Sequence, residues 1–352
     1  MLCENNANER KPKMKKYRAA LNHFDETNLR DKIRDCLEWV HWKEQIFPDS
    51  RIWVKPNLTF PEFRPGVTTS PHFMAALLDV LRERTPHLTV FEADGGNNSY
   101  AMEKAFMAHG LYEICEARNV RLLNITCEPW QAIEVPIRGR KTLRLPVNKE
   151  MLECCDMTIS VPVPKMHFVA RYTGAIKNHW GTVPDSMRLR NHYFFRYAIN
   201  EIMKRLKSGI TVVDGEYFLD DNGPVVGQPV NMNIVAAADH PLTADTVMMH
   251  IMGVDPHKIG YMKTAWERSP GARSMDEIEL NQPIENFKTH TFSYHRDPVD
   301  YLALLGFHSK LVTWIVYLSP LRKFAHWLVG VMRGGSRQVE SFYDDVIDVD
   351  KF

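Results

Sequence analysis

The sequence predicts an α/β protein: a doubly wound, mostly parallel sheet with an inserted β-hairpin and a helical C-terminal extension. Three observations carry this. Short β-type runs alternate with stretches of helical period between residues 33 and 125, the pattern of a parallel sheet wound by right-handed crossovers. Residues 133–147 alternate apolar and polar around Arg138-Gly139-Arg140, as a hairpin does. Beyond residue 302 the chain changes character, with strongly apolar runs at 302–307, 311–318 and 324–332.

Each element has a local reason. Residues 1–16 are polar and basic without an apolar period and are expected to be disordered. Residues 33–47 have amphipathic helical spacing that ends before Pro48. Residues 51–54 form a strand closed by Lys55-Pro56-Asn57, because proline supplies no ladder donor. Ser70-Pro71 opens a helix, with serine as cap and proline in the first turn; Phe73, Leu77, Leu78 and Leu81 keep its period. A strand at 88–91 opens onto Asp94-Gly-Gly-Asn-Asn-Ser99, helix resumes over 102–118 with a break at Gly110, and 120–125 is the next strand. After the hairpin come a helical turn at 151–155, a strand at 157–161 and a helix at 194–206. Strands at 209–213 and 232–237 and a helix at 243–252 follow.

The chain therefore divides into a 1–16 arm, a core domain over 17–260 with an active-site loop at 162–192, a mainly helical extension over 261–337 and an acidic tail over 338–352. The longest apolar run in the extension, 311–318, is far short of the ~20 residues a spanning helix needs. Core helices, or helices that pair two copies into a homodimer, are the favoured reading; peripheral contact with a membrane surface is the lesser one.

With 352 residues, 44% hydrophobic and 25% charged, the chain can bury a full core. A net charge of +1 excludes generic nucleic-acid binding, which needs a strongly basic face. The six cysteines form no C-x-x-C pair, so neither an iron–sulfur cluster nor a zinc ribbon is supported. Unpaired cysteines without a signal-peptide pattern lead to the expectation of a reducing, cytoplasmic compartment. The charge is nevertheless unevenly spread: residues 160–208 hold nine Lys/Arg against Asp185 and Glu201, whereas residues 209–245 hold six acids and no Lys or Arg.

The densest chemistry lies in Lys165-Met-His-Phe-Val-Ala-Arg-Tyr-Thr-Gly-Ala-Ile-Lys-Asn-His-Trp-Gly181. A loop just past a strand end is where open α/β sheets collect ligands. Lys165 and His167 sit two apart, so in extended chain they share a side. Lysine can hold a carboxylate or phosphate, and histidine can move a proton near neutral pH. Thr173-Gly174 and Gly181 bracket Lys177-Asn178 with small residues that let backbone approach a ligand. No Walker or dinucleotide glycine pattern is present. Lys55, Asn57, Asp94, Gly95 and Asn97 end neighbouring strands and converge on the same edge, as do Asp214 and Glu216. His192 could supply a second acid or base.

Taken in order, Lys55-Pro-Asn57, Asp94-Gly95, Lys165-x-His167, Thr173-Gly-Ala-x-Lys-Asn178 with Gly181, Asp214-Gly215, Gly223-Pro-x-x-Gly227 and Asp239 with Asp245 resemble the family known as domain of unknown function 362, over roughly residues 50–255. Many members carry a ferredoxin-like segment whose cysteines this chain lacks. The resemblance also implies a fold similar to the amino-terminal domain of nickel-pincer lactate racemases, where a histidine pair moves a proton and lysines hold an anionic group.

These readings combine into one expectation: a cytoplasmic enzyme acting by general acid/base chemistry on a small carboxylate- or phosphate-bearing metabolite, through isomerisation, elimination or cyclisation. His167, Lys165, Lys177 and His192 are the catalytic candidates. Lys55, Asn57, Asp94, Gly95, Asn97, Thr173, Gly174, Asn178, Asp214 and Glu216 are the binding candidates. The cofactor is open; a divalent metal on His167, Asp214 and Asp239, in a hydrolase or oxidase, is one alternative, and a non-catalytic binding protein is another.

Overall fold

The computed structural model describes residues 16–137 and 141–296, together with residues 301, 304, 310–315, 319–321 and 324. The expected arm before residue 16 and acidic tail after 338 lie outside the described residues, as does most of 297–337.

Twelve strands are described: β1 (Tyr17–His23), β2 (Ile52–Lys55), β3 (Leu88–Glu92), β4 (Arg121–Asn124), β5 (Trp130–Pro136), β6 (Thr142–Asn148), β7 (Met157–Ser160), β8 (Lys165–His167), β9 (Arg171–Thr173), β10 (Ser208–Asp220), β11 (Gln228–Ala238) and β12 (Ile278–Leu280). Ten form one sheet whose main path runs β12-β1-β11-β10-β7-β2-β3-β4, with β8 paired to β10 and to β9. The run from β10 through β7, β2 and β3 to β4 is parallel, β11 is antiparallel to both its neighbours, and β5-β6 is the separate hairpin. The predicted class is therefore the observed one.

Helices cover both faces. They are α1 (Leu29–Trp39), α2 (Trp42–Gln45), α3 (Pro71–Arg82), α4 (Met102–Ala108), α5 (Leu111–Glu116), α6 (Lys149–Cys154), α7 (Ala175–Asn178), α8 (Phe195–Arg205), α9 (Pro241–Ile251) and α10 (Gly260–Arg268). Alternation along each strand sends side chains to opposite faces. Ile52 and Val54 thus join Ile33, Phe73 and Leu77 in one core, while Trp53 joins Phe91, Ile202 and Leu206 in another. Residues on both faces are buried, so these strands read as apolar runs. Each fully buried Val or Ile contributes about 1.5–3 kcal/mol.

Four features depart from expectation. Strand β1 lies inside the sheet, although Tyr-Arg-Ala-Ala-Leu-Asn-His contains no β-branched residue; its partners on both sides, not its propensity, make it a strand. Strands β10 and β11 are far longer than read, because a bulge between Gly215 and Tyr217 lets the ladder continue. The helix over 33–47 begins earlier and breaks at His41, whose φ is 55°. The segment after 260 is not purely helical, since β12 adds to the sheet beside β1.

Candidate active site

The presumed loop at 162–192 starts as a β-hairpin. Strand β8 pairs antiparallel with β9 in the register Lys165↔Thr173, Met166↔Tyr172 and His167↔Arg171. Directly paired residues share a face. Met166 and Tyr172 enter the apolar core, so Lys165, His167 and Thr173 look the other way. The Thr173 hydroxyl is buried with no hydrogen-bond partner among the described residues. Lys165 is fully buried, and its ammonium donates to the Val67 carbonyl.

The neighbouring strand ends complete the site. Lys55, at the end of β2, lies at the level of Ser160 in β7. Its Nζ donates to Glu92 Oε2 at 2.6 Å, the Pro56 carbonyl at 3.1 Å and Asn178 Oδ1 at 3.3 Å. Asn178 Nδ2 donates back to the Lys55 carbonyl at 3.2 Å and to Ser160 Oγ at 3.0 Å. Asn178 thus ties the Thr-Gly-Ala-x-Lys-Asn turn to two strand ends. Gly181 is required for close approach: a Cβ there would sit 2.5 Å from Glu92 Oε1 and 2.8 Å from Lys55 Nζ.

The electrostatics are lopsided. Burial pushes the Lys165 ammonium well below its usual range, and Lys177 and Lys55 push further in the same direction. Burial is also the main cause of the Lys177 value of about 8, with Arg188 adding to it. Lys177 keeps part of its side chain at the surface and has no hydrogen-bond partner among the described residues. Burial holds the His167 imidazole neutral, helped by Lys177, His192, Lys165 and Arg296. His167 Nδ1 accepts from the Val169 amide at 3.0 Å and the Ala170 amide at 3.4 Å. In the neutral ring the proton therefore resides on Nε2. Against Lys55, Lys165, Lys177 and Arg188, Glu92 is the buried carboxylate that pairs with a cation here.

The remaining candidates divide. Asp94 borders this cluster through its carbonyl, which accepts from Arg188 Nη1 at 3.0 Å. Its carboxylate instead caps α4 through the Met102 amide at 2.8 Å and holds Asn124 at 2.9 Å, and burial raises its pKa. Gly95 is needed because a Cβ would collide with Ser99 and the Tyr100 ring. Asn97 adopts a left-handed φ of 64°, donates its amide to the Ser186 carbonyl at 2.7 Å and leaves Oδ1 buried without a partner among the described residues. Asn57 clamps Thr69 through backbone bonds. His192 is stacked on Phe195, with centroids 5.2 Å apart, and edge-on to Trp180.

Asp214 and Glu216 are placed elsewhere. Asp214 Oδ2 accepts from the Ser70 amide at 2.7 Å and the Ser70 hydroxyl at 3.1 Å. Burial raises its pKa to about 6. The Ser70 side chain makes no cap bond of its own; the strand carboxylate takes that role for α3. Glu216 pairs with His72 at 3.1 Å. The third alternative metal ligand, Asp239, accepts from the Arg18 amide at 2.7 Å. His167, Asp214 and Asp239 thus serve three separate places, and no group of three or more His, Cys, Asp or Glu among the described residues could hold a metal ion.

Three contributors, Glu92, Arg188 and Ser160, were not singled out by sequence, and a fourth, Asp245, entered there only through the family motif. Glu92 is the end residue of β3, and the register Val54↔Val90 brings it beside Lys55; the need of a buried lysine for an acid was the available signal. Arg188 and Ser160 are hidden among ordinary surface and strand residues. Asp245, buried in α9, accepts from the Ala175 amide at 2.6 Å, the Ile176 amide at 3.0 Å and the Tyr172 hydroxyl at 3.1 Å. It anchors the start of α7 from behind, and burial raises its pKa to about 7.

Lys165→Met is expected to flatten the pH dependence of stability. An amine with a folded pKa below its unfolded value of 10.5 gives up a proton on folding, so wild-type stability rises with pH in the window between those two values, by up to about 1.4 kcal/mol per unit. Urea unfolding at neutral and alkaline pH checks this; parallel behaviour of the two proteins would disprove a neutralised lysine.

The chain is 27% identical over 236 residues to a thylakoid-associated protein of Synechocystis sp., covering 62% of this chain and 67% of the relative. Among solved structures, the lactate racemase apoprotein from Thermoanaerobacterium thermosaccharolyticum matches with a TM-score of 0.44 and 12% identity, over 67% of this chain and 57% of that one. A Thermotoga maritima protein matches with a TM-score of 0.38 and 12% identity, over 59% of this chain and 54% of that one. The chain thus spans little more than half the length of either solved structure. The model of the family described as Domain of unknown function (DUF362) matches residues 52–250, more than half of the chain, and the protein belongs to that family.

Proposed function

We propose that this protein is an enzyme that binds a small carboxylate- or phosphate-bearing metabolite at the rim of the sheet and moves a proton on it. The observation that carries the reading is the surplus of enclosed basic groups: Lys165, Lys177 and Arg188 gather beside the Lys55–Glu92 pair, and neither Lys165 nor Lys177 has an ion-pair carboxylate among the described residues. Like charges brought together away from water are costly. An anionic ligand removes that cost, so the missing counter-charge is supplied by the substrate.

The geometry suggests distinct roles. Lys177 and Arg188, which retain some exposure, meet the anion first. Lys165, whose burial favours the neutral amine, is the group placed to offer a lone pair to a proton next to a carbonyl. His167, whose Nδ1 is occupied by backbone amides, presents Nε2–H to the oxygen that gains charge, together with Lys177. His192 lies within electrostatic reach of that ring. Cysteines 36, 115, 127, 154 and 155 are all unpaired, which supports a reducing, cytoplasmic setting.

Titration calorimetry with inorganic phosphate and simple 2-oxo and 2-hydroxy carboxylates tests the binding half. Affinity should be level below pH of about 8, the Lys177 value, and fall by up to about tenfold per unit above it, because the protonated amine is the binding form. Lys177→Met should lose most of the affinity and this pH dependence while keeping its stability. Binding that ignores both would refute the assignment. Deuterium uptake at the substrate carbon, present in wild type and lost in Lys165→Met, distinguishes an enzyme from a carrier that only binds.

A further inference from the structure

The candidate site is shut. Lys165 is 0% and His167 5% exposed, and the Val67 carbonyl sits on the Lys165 amine. A metabolite reaches that amine only if the segment carrying Val67 moves aside. This segment joins β2 to α3, and no residue from Pro56 to Ser70 lies in a helix or strand. Loops of that length are uncommon within a compact domain and are usually functional where they occur.

The two ends of the loop are pinned to each other. The Asn57 amide donates to Thr69 Oγ1 at 2.8 Å, the Thr69 amide donates back to the Asn57 carbonyl at 2.9 Å, and Thr69 Oγ1 donates to the Val161 carbonyl at 2.9 Å. Between these ends the chain folds on itself. The Val67 and Thr68 amides donate to the Arg64 carbonyl, the Arg64 amide donates to Thr68 Oγ1 at 2.9 Å, and the Arg64 guanidinium lies 3.5 Å from the centre of the Phe60 ring. Close ends and internal packing make an Ω-loop, which moves as a unit about its neck. Its seat on the body is small. Leu58, beside the neck, belongs to the main core, but Phe60 and Val67 pack with Leu219 and Val225 in an apolar cluster separate from the larger ones. Gly66, with φ of 75°, rests on β10, where a Cβ would come within 2.9 Å of the Phe218 carbonyl oxygen. A segment held by so few buried apolar contacts opens far more readily than the domain unfolds.

We infer that residues 59–68 form a lid over Lys165, latched by the Val67 carbonyl and opening about the Asn57–Thr69 neck. Closed, the lid keeps water from the amine. An amine that has taken up a proton binds a carbonyl more strongly, because the bond is then charge-assisted. The lid is therefore held shut while the proton is on the enzyme. This use of the lid rests on the proposed role of Lys165 as the base; its movement does not, so the test needs no substrate.

Pulse acetylation of the full chain with acetic anhydride, read by peptide mass spectrometry, measures how often each lysine is reached. Lys204 and Lys263, both exposed, calibrate the reagent, and Lys55, 1% exposed and held by Glu92, reports unfolding of the whole domain. Lys165 is expected to label more slowly than Lys204 but at least about tenfold faster than Lys55. Phe60→Ala and the milder Val67→Ala should each raise Lys165 labelling at least about fivefold and leave Lys204 unchanged. Circular-dichroism melts confirm that each variant folds. Wild-type Lys165 that labels in step with Lys55 overturns the lid, because entry would then require global unfolding. Folded variants that both keep wild-type Lys165 labelling also overturn it, because the loop would not be the barrier. Anion binding that is indifferent to Lys177 would instead refute the proposed function and leave the lid standing.

Discussion

Glu92→Gln is expected to destabilise the fold by about 3–5 kcal/mol, the cost of leaving one partner of a buried ion pair uncompensated. Lys55 and Glu92 side chains are only 1% and 5% exposed and meet at 2.6 Å. Burial already drives the Lys55 ammonium below its usual range, and the Glu92 carboxylate is what opposes that drive. Without it the amine must shed its proton to stay in place. The sign of the pH effect follows. With the folded pKa lowered further below 10.5, the variant's deficit should be greatest at neutral and acid pH and shrink toward pH of about 10, where the unfolded lysine also loses its proton. Urea melts across pH give the answer. Lys55→Met combined with Glu92→Leu should recover most of the loss, because no charge remains to be compensated. A single-variant deficit below about 1 kcal/mol would mean that water reaches the pair.

Gly174→Ala is expected to cost about 4 kcal/mol or more, at the upper end of overpacking and unsatisfied-group effects. A Cβ at Gly174 would lie 2.1 Å from Asp245 Oδ1 and 2.2 Å from the Tyr172 hydroxyl oxygen. Neither neighbour can withdraw cheaply. Asp245 is fully buried and holds the Ala175 and Ile176 amides, while Tyr172 is packed in the core. Relief by moving the carboxylate would orphan both amides and release the turn that carries Lys177. Asp245→Ala alone should cost about 2–4 kcal/mol for those unsatisfied donors. The double variant should cost less than the sum, because the clash and the lost bonds share one carboxylate. Full additivity in chemical denaturation would show that Gly174 and Asp245 do not touch.

Much of the fold was legible where local chemistry and tertiary context agree. Gly110, with φ of 62°, breaks the 102–118 helix where expected, and the 133–147 alternation is the β5–β6 hairpin. Legibility failed where partners decide. Ser70 looks like a helix cap, yet Asp214, 144 residues away, accepts its protons. Asp214 and Glu216 looked like site residues because acids after a short strand suggest a loop; the bulge in β10 keeps them in the ladder, facing Ser70 and His72.

The candidate site divides in the same way. Sequence alone determined that lysines, a histidine, an asparagine and spacing glycines occur together beside a strand end, because such a density of charge and small residues contradicts core building. It also determined the α/β class, through the period of its apolar residues. Only the tertiary structure decided which charges are paired. Glu92 neutralises Lys55 across adjacent strands, Asp245 holds the loop from behind, and Lys177 meets no hydrogen-bond partner among the described residues. Charge compensation depends on distances of a few ångströms between residues far apart in the chain, and spacing along a sequence does not contain those distances.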